Sequence, residues 1–246
     1  MILAAALCPW PPLLVRELTG ADPVLPGLRD ACAAAVAALL AGRPDQVAVV
    51  APGPATAAWP GDGRLNVAAF GGQPAARPAG PPAGTGVQQD RPALPPAAGI
   101  GAYLLDQAAY PGPRVIWTVG EDETPAGCRK LGAELAADGQ RTALLVLGDG
   151  SARRGPKAPG AFDERAAGFD ADVVRAVRDA DLDALLAVDP ALARDLMATG
   201  RPAWQVLAGA MPAPAPATEV LYCDDPFGVA YLVAYLARGG AEAGAR

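Results

Sequence analysis

Histidine is absent from all 246 residues, and that absence removes more chemistry than any other feature of the chain. Ser-His-Asp and Cys-His nucleophilic mechanisms are excluded. Any metal would have to be held by carboxylates, thiolates or backbone oxygens. Cysteine is scarce: Cys8, Cys32, Cys128 and Cys223 stand far apart, none in a C-x-x-C pair. A structural zinc site is not expected, and dispersed thiols without an export signal suggest a reducing cytoplasm. Long apolar runs are missing too, the longest being Ala31 to Ala41, well short of the ~20 residues of a membrane span. The opening MILAAALCPWPP has the outline of a lipoprotein signal ending at Cys8, but it lacks a basic leading region and Leu7 is a poor neighbour for cleavage, so it reads as a first strand. Basic runs are lacking: 20 Lys and Arg are scattered among 26 Asp and Glu, for a net charge of -6. Nucleic acid and anionic membrane surfaces are therefore poor partners. After Gly99 and Gly101, Leu104 stands where the third glycine of a dinucleotide loop would fall, and no Gly-Lys-Ser/Thr loop occurs, so nucleotide cofactors have no support.

What is present is a series of short apolar runs alternating with helical periods. Met1 to Leu7, Val47 to Ala51, Arg114 to Val119 and the apolar part of TALLVLGDG read as buried strands, and Glu219 to Tyr222 as a last one. Leu28 to Ala41, GIGAYLLDQAA and Ala126 to Asp138 read as helices. Two or three more fill Phe162 to Leu207, one of them starting at Pro190 after Asp189. Gly228 to Ala237, GVAYLVAYLA, is expected to be a buried closing helix. Between Gly71 and Pro96 the chain is mostly Pro, Gly, Ala and Gln, a composition that buries little and predicts a mobile surface excursion. The whole, residues 1–246, is expected to be one α/β domain with a largely parallel central sheet and helices on both faces.

In such sheets ligands bind beyond the carboxyl ends of the strands. Here those ends are the loops Cys8 to Pro12, Pro52 to Trp59, Glu121 to Thr124 and Gly148 to Arg154. Pro9-Trp10-Pro11-Pro12, Ala51-Pro52-Gly53 and Gly148-Asp149-Gly150-Ser151-Ala152, with FDERAAGFD and the C-terminal PFGVAYLVA, make the chain resemble the subunit-B family of class III extradiol ring-cleavage dioxygenases, whose fold the Memo-like proteins share. That family has Pro-His-Pro-Pro, Ser-Pro-His and Gly-Asp-Leu-Ser-His at the corresponding places. Its first two histidines and a C-terminal glutamate hold a non-haem Fe(II), and the third histidine acts as acid or base. The resemblance puts Trp10, Gly53 and Ala152 at the histidine positions, and none of these can ligate iron or carry a proton. Glu219, Asp224 and Asp225 are all near enough to match the carboxylate. The resemblance thus implies a degenerate, non-catalytic member without iron, binding a small anionic or aromatic metabolite or a partner protein. The alternative is an active metal-dependent ring-cleavage dioxygenase or hydrolase with an unusual carboxylate-only metal site.

Several residues in these loops are candidate ligand contacts. Trp10 and Trp59 either form an aromatic wall for a planar ligand or plug the space of an absent metal. Arg153 and Arg154, with Lys157 close by, follow a glycine-rich turn. They either receive a carboxylate or phosphate or pair with Asp163 and Glu164. Asp149 is a base or metal ligand at a strand end, or else a turn cap. Ser151 and Gly53 complete the set. Glu121, Asp122 and Glu123 are consecutive carboxylates that point apart unless their loop curls, and they read as a solvated acidic turn.

Overall fold

Six consecutive apolar residues without a polar alternate require burial on both faces, and TALLVL at Thr142–Leu147 comes close to that pattern at the centre of a seven-stranded sheet, buried throughout. A computed structural model describes residues 1–19, 24–71, 91–211 and 216–238. In chain order its elements are β1 (Ile2–Cys8), α1 (Arg16–Thr19), α2 (Pro26–Ala41), β2 (Gln46–Gly53), β3 (Ala57–Trp59), α3 (Pro96–Gln107), β4 (Arg114–Gly120), α4 (Pro125–Ala136) and β5 (Thr142–Leu147). They continue with α5 (Arg165–Arg178), α6 (Leu182–Leu186), α7 (Pro190–Asp195), α8 (Arg201–Ala210), β6 (Ala217–Asp224) and β7 (Tyr231–Ala237).

The strands lie in the order β3-β4-β2-β5-β1-β7-β6. The central four, β4, β2, β5 and β1, run parallel, while β3 at one edge and β7 and β6 at the other run antiparallel to their neighbours. Side chains alternate across the sheet. Ala48, Val50, Leu144 and Val146 face α4, α5 and α8, whereas Val47, Val49, Leu145 and Leu147 face α2 and α3. The chain is thus an α/β domain with helices on both faces of a largely parallel sheet, as its apolar pattern predicts. Among the described residues no helix is long and apolar enough to cross a membrane.

Local chemistry explains several boundaries. Asp189 accepts hydrogen bonds from the Ala191 and Leu192 amides and Pro190 opens α7, the start expected from sequence. Thr124 accepts from the Gly127 amide at the head of α4. Helices α4 and α8 pack closely because Gly132 faces the Val206 carbonyl, and a Cβ there would collide with it.

One element differs in kind. The closing segment is not a helix: Tyr231–Ala237 is β7, antiparallel between β1 and β6. A short run apolar on all sides has no period that separates a buried helix from a buried strand, and sheet pairing decides it here. Of the Pro/Gly-rich stretch, residues 72–90 lie outside the described residues. Its end is anchored: Arg64 and Leu94 take part in backbone hydrogen bonds across this join (Arg64 N to Pro92 O, 2.9 Å; Leu94 N to Arg64 O, 3.0 Å), and Leu94 is buried.

Candidate functional site

The parallel centre brings the carboxyl ends of β1, β2, β4 and β5 to one edge of the sheet. There a cleft of about 340 Å³ opens between the first two loops. Trp10 and Gly53 line it from β1 and β2, the start of α3 and Glu121 border it, and residues 190–202 form the facing wall.

Trp10 is half-buried and held at two points. Its backbone N–H donates to Asp149 Oδ1 at 2.9 Å and its indole Nε1 donates to Thr199 Oγ1 at 3.0 Å. The indole is therefore a wall with its polar edge satisfied, bordering open volume. Gly53 reaches the cleft with backbone alone: a Cβ built there would lie 2.5 Å from the Thr118 Cβ. Thr118 is fully buried. It accepts from Trp59 Nε1 at 2.9 Å and donates to the Ala55 carbonyl at 2.8 Å. Trp59, expected beside Trp10, instead sits on the edge strand β3 and packs against the margin of the core on that face of the sheet. Its role is to fix Thr118 in the space behind Gly53. A three-residue edge strand turns this indole inward, which no local pattern announces.

Asp149 ties the loops together. Besides receiving Trp10, its carbonyl accepts from the Gly200 amide at 2.9 Å, at the head of α8. Burial pushes its carboxyl up to about 7, opposed by the Trp10 N–H. Behind it Cys8 and Cys32, far apart in sequence, meet in the core, and contact with the Cys8 thiol together with burial raises Cys32 well above the usual thiol range.

The remaining candidates form a different site. Ser151 is buried, its hydroxyl donating to Asp170 Oδ2 at 2.5 Å and its amide to Asp170 Oδ1 at 2.8 Å. Arg154 Nε donates to Asp225 Oδ2 at 2.6 Å and lies 3.8 Å from Asp170 Oδ2. Arg154, Asp170 and Asp225 edge a second cavity, about 380 Å³, between α5 and the β6–β7 hairpin. Arg153 and Arg154 do not pair with Asp163 and Glu164. Asp163 is held by Arg165 at 2.8 Å, whose guanidinium draws its carboxyl down to about 2, because the loop turns Asp163 toward its own helix. Arg153 offers its carbonyl to the Asp163 amide at 3.1 Å, and its buried Nε has no partner among the described residues. The two arginines therefore do not form one anion fork.

Of the consecutive acids, Glu121 and Asp122 converge on Arg194, at 3.6 and 2.6 Å, and Glu123 turns away to receive the Thr56 hydroxyl at 2.8 Å. Arg201, 1% exposed, donates to the Glu121 and Glu123 carbonyls and to Gln205. Of the three C-terminal carboxylates, Glu219 is exposed on the edge strand β6 and Asp224 and Asp225 border the second cavity, so none lines the cleft. Ala152 is buried between the Leu196 carbonyl and the Gly160 amide. Among the described residues no three of Cys, Asp and Glu converge on a point where a metal would sit. The groups at the resemblance's ligand positions (an indole, a blocked glycine and a carboxylate that lies away from the cleft) do not fit a facial iron triad, and Ala152 offers no acid or base at the third position.

Sequence reasoning did not find Thr199, Arg194 or Arg201, which form the far wall. They lie in α7, at the head of α8 and in the turn between the two rather than after strands, where no rule directs attention. Asp170 carried a weak signal, a carboxylate on the apolar face of a helix.

No family model matches the chain, and no curated protein matches it. Among solved structures it is similar to the uncharacterized protein JW3007 from Escherichia coli K12, with a TM-score of 0.57 at 14% identity, over 96% of this chain and 99% of that one. At that identity the likeness is one of fold, an α/β domain matched end to end.

Proposed function

We propose that this chain is a non-catalytic member of the class III extradiol dioxygenase fold, akin to the Memo-like proteins, and that it binds a small aromatic metabolite, acidic ones included, in the cleft beside Trp10. The observation that carries this reading is Trp10 itself. At the position the resemblance gives to an iron ligand stands an indole whose N–H is engaged and whose side chain lines open volume. Stacking on such a side chain replaces metal coordination as the means of holding a planar ring. Prolines 52, 54, 95 and 96 add apolar, rigid walls, so little entropy is lost on binding. The two-arginine anion site considered from sequence has no place in this reading, because Arg154 is already neutralised by Asp225 and Asp170.

Calorimetric titration with 3,4-dihydroxybenzoate tests the proposal. Saturable binding without oxygen uptake is expected, with affinity falling roughly tenfold or more in Trp10→Ala, as for loss of a buried aromatic contact. Unchanged affinity in that variant removes the cleft from consideration, and oxygen uptake proportional to protein refutes the non-catalytic part.

A further inference from the structure

Most polar side chains lining the cleft are already engaged. Arg201 is spent on two carbonyls and Gln205, Arg194 on Asp122 and Glu121, and the Trp10 N–H on Thr199. Thr199 differs. A hydroxyl has one proton to give besides its lone pairs. In Thr199 a lone pair receives the indole N–H at 3.0 Å, and the hydroxyl donates to no described residue. The side chain is half-buried and lines the cleft beside the indole. With one lone pair occupied by Trp10, its proton is directed away from the indole.

We infer that Thr199 is the specificity-determining donor of the cleft, giving its hydroxyl proton to an acceptor oxygen on a planar ring stacked against Trp10. This rests on the cleft being the ligand site proposed above. The ligand class is accordingly an aromatic compound bearing a carbonyl, carboxylate or phenolate oxygen, and rings without such an acceptor leave the hydroxyl unsatisfied on binding. The same geometry gives Trp10 a second role, since by donating to Thr199 it orients the donor and makes it more acidic, as in a chain of hydrogen bonds.

Benzoate, benzamide and indole are suitable probes, the first two with an acceptor oxygen, charged and neutral, and the third without one. In calorimetric titrations Thr199→Val is expected to weaken benzoate and benzamide by roughly three- to tenfold, the usual effect of one lost hydrogen bond, and to leave indole unchanged or bound more tightly, since no hydroxyl is then left unsatisfied. Thr199→Ser restores both. Trp10→Phe removes the indole donor and keeps a ring, so in that background Thr199→Val must still weaken the two acceptor probes, by less than in the wild type because the indole no longer orients the hydroxyl. Equal weakening of all three probes, or an effect that vanishes in the Trp10→Phe background, overturns the inference, since Thr199 then acts only by shaping the wall or anchoring Trp10. Indole binding with no preference for acceptors sinks the role of Thr199 and leaves the cleft standing. Failure of all three probes to bind removes the cleft and this inference together.

Discussion

At the scale of single residues, the burial of one carboxylate has a measurable consequence. Asp149 titrates near 7 in the folded protein and near 3.9 in an unfolded chain. The raised value means that folding favours the protonated acid, so its contribution to stability is greatest below about pH 4 and is lost as pH rises toward about 7. Replacing it by Asn keeps an oxygen to receive the Trp10 N–H and abolishes the titration. Asp149→Asn is thus expected to match the wild type near pH 4 and to exceed it at pH 8 by a few kcal/mol, the order set by a shift of about three units. Urea denaturation at the two pH values checks this. A constant difference between the proteins at both pH values contradicts the assignment. The strand-end position of Asp149 was legible in the sequence, because an apolar strand followed by Gly-Asp-Gly marks such a place. Its partner was not, because Trp10 lies 139 positions away and only parallel pairing of β1 with β5 brings the two together.

Elements add their own logic, best seen in the loop after β5. Its backbone is fastened to the C-terminal segment, with Gly150 N donating to the Ala230 carbonyl at 2.8 Å and Arg154 N to that of Gly228 at 3.0 Å. The side chains repeat the tie through Asp170 and Asp225. Arg154→Met removes the cation from a carboxylate whose side chain is 9% exposed, and is expected to cost about 1–3 kcal/mol, the penalty for a buried polar group that loses a charged partner. In a chain of this length that lowers the melting temperature by several degrees. Arg165→Ala breaks an exposed pair with Asp195 and a partly covered one with Asp163 from a half-exposed guanidinium, and is expected to lower it by less than Arg154→Met does. Equal losses in the two variants, read by calorimetry, contradict the buried role of Arg154. The sequence offered Asp163 and Glu164 as partners because they are near along the chain. Folding chose Asp225 because β7 runs beside β1 and delivers the hairpin to this loop. That is also why β7 escaped the sequence pattern: Tyr-Leu-Val-Ala-Tyr-Leu is apolar at every position, and only its aromatic and β-branched content leans toward a strand.

At the scale of the whole molecule, the parallel centre was legible because its strands are short, apolar and buried on both faces. The cleft's location followed from the rule that sites lie beyond strand ends. Its far wall did not, since residues 190–202 reach it through the packing of α7 and α8. On the proposed reading, the unsuitability of positions 10 and 53 for holding iron is likewise a property of the assembly rather than of two missing imidazoles alone. Restoring one of them requires space that the fold has filled: a side chain at position 53 meets Thr118, which Trp59 and Ala55 hold in place. Gly53→His is therefore expected to destabilise the protein by roughly 1–3 kcal/mol or more, the range for overpacking a close-packed site. Adding Thr118→Ala is expected to recover part of that loss. Trp10→His borders open volume and is expected to cost less than Gly53→His. The same packing predicts that the wild-type chain, incubated anaerobically with ferrous ion and passed through a desalting column, retains far less than one equivalent. Thermal denaturation of the three variants and metal analysis of the wild type decide the matter. A freely tolerated Gly53→His, or a full equivalent of iron retained by the unaltered chain, would show that the space behind the second strand is open and that the non-catalytic reading is wrong.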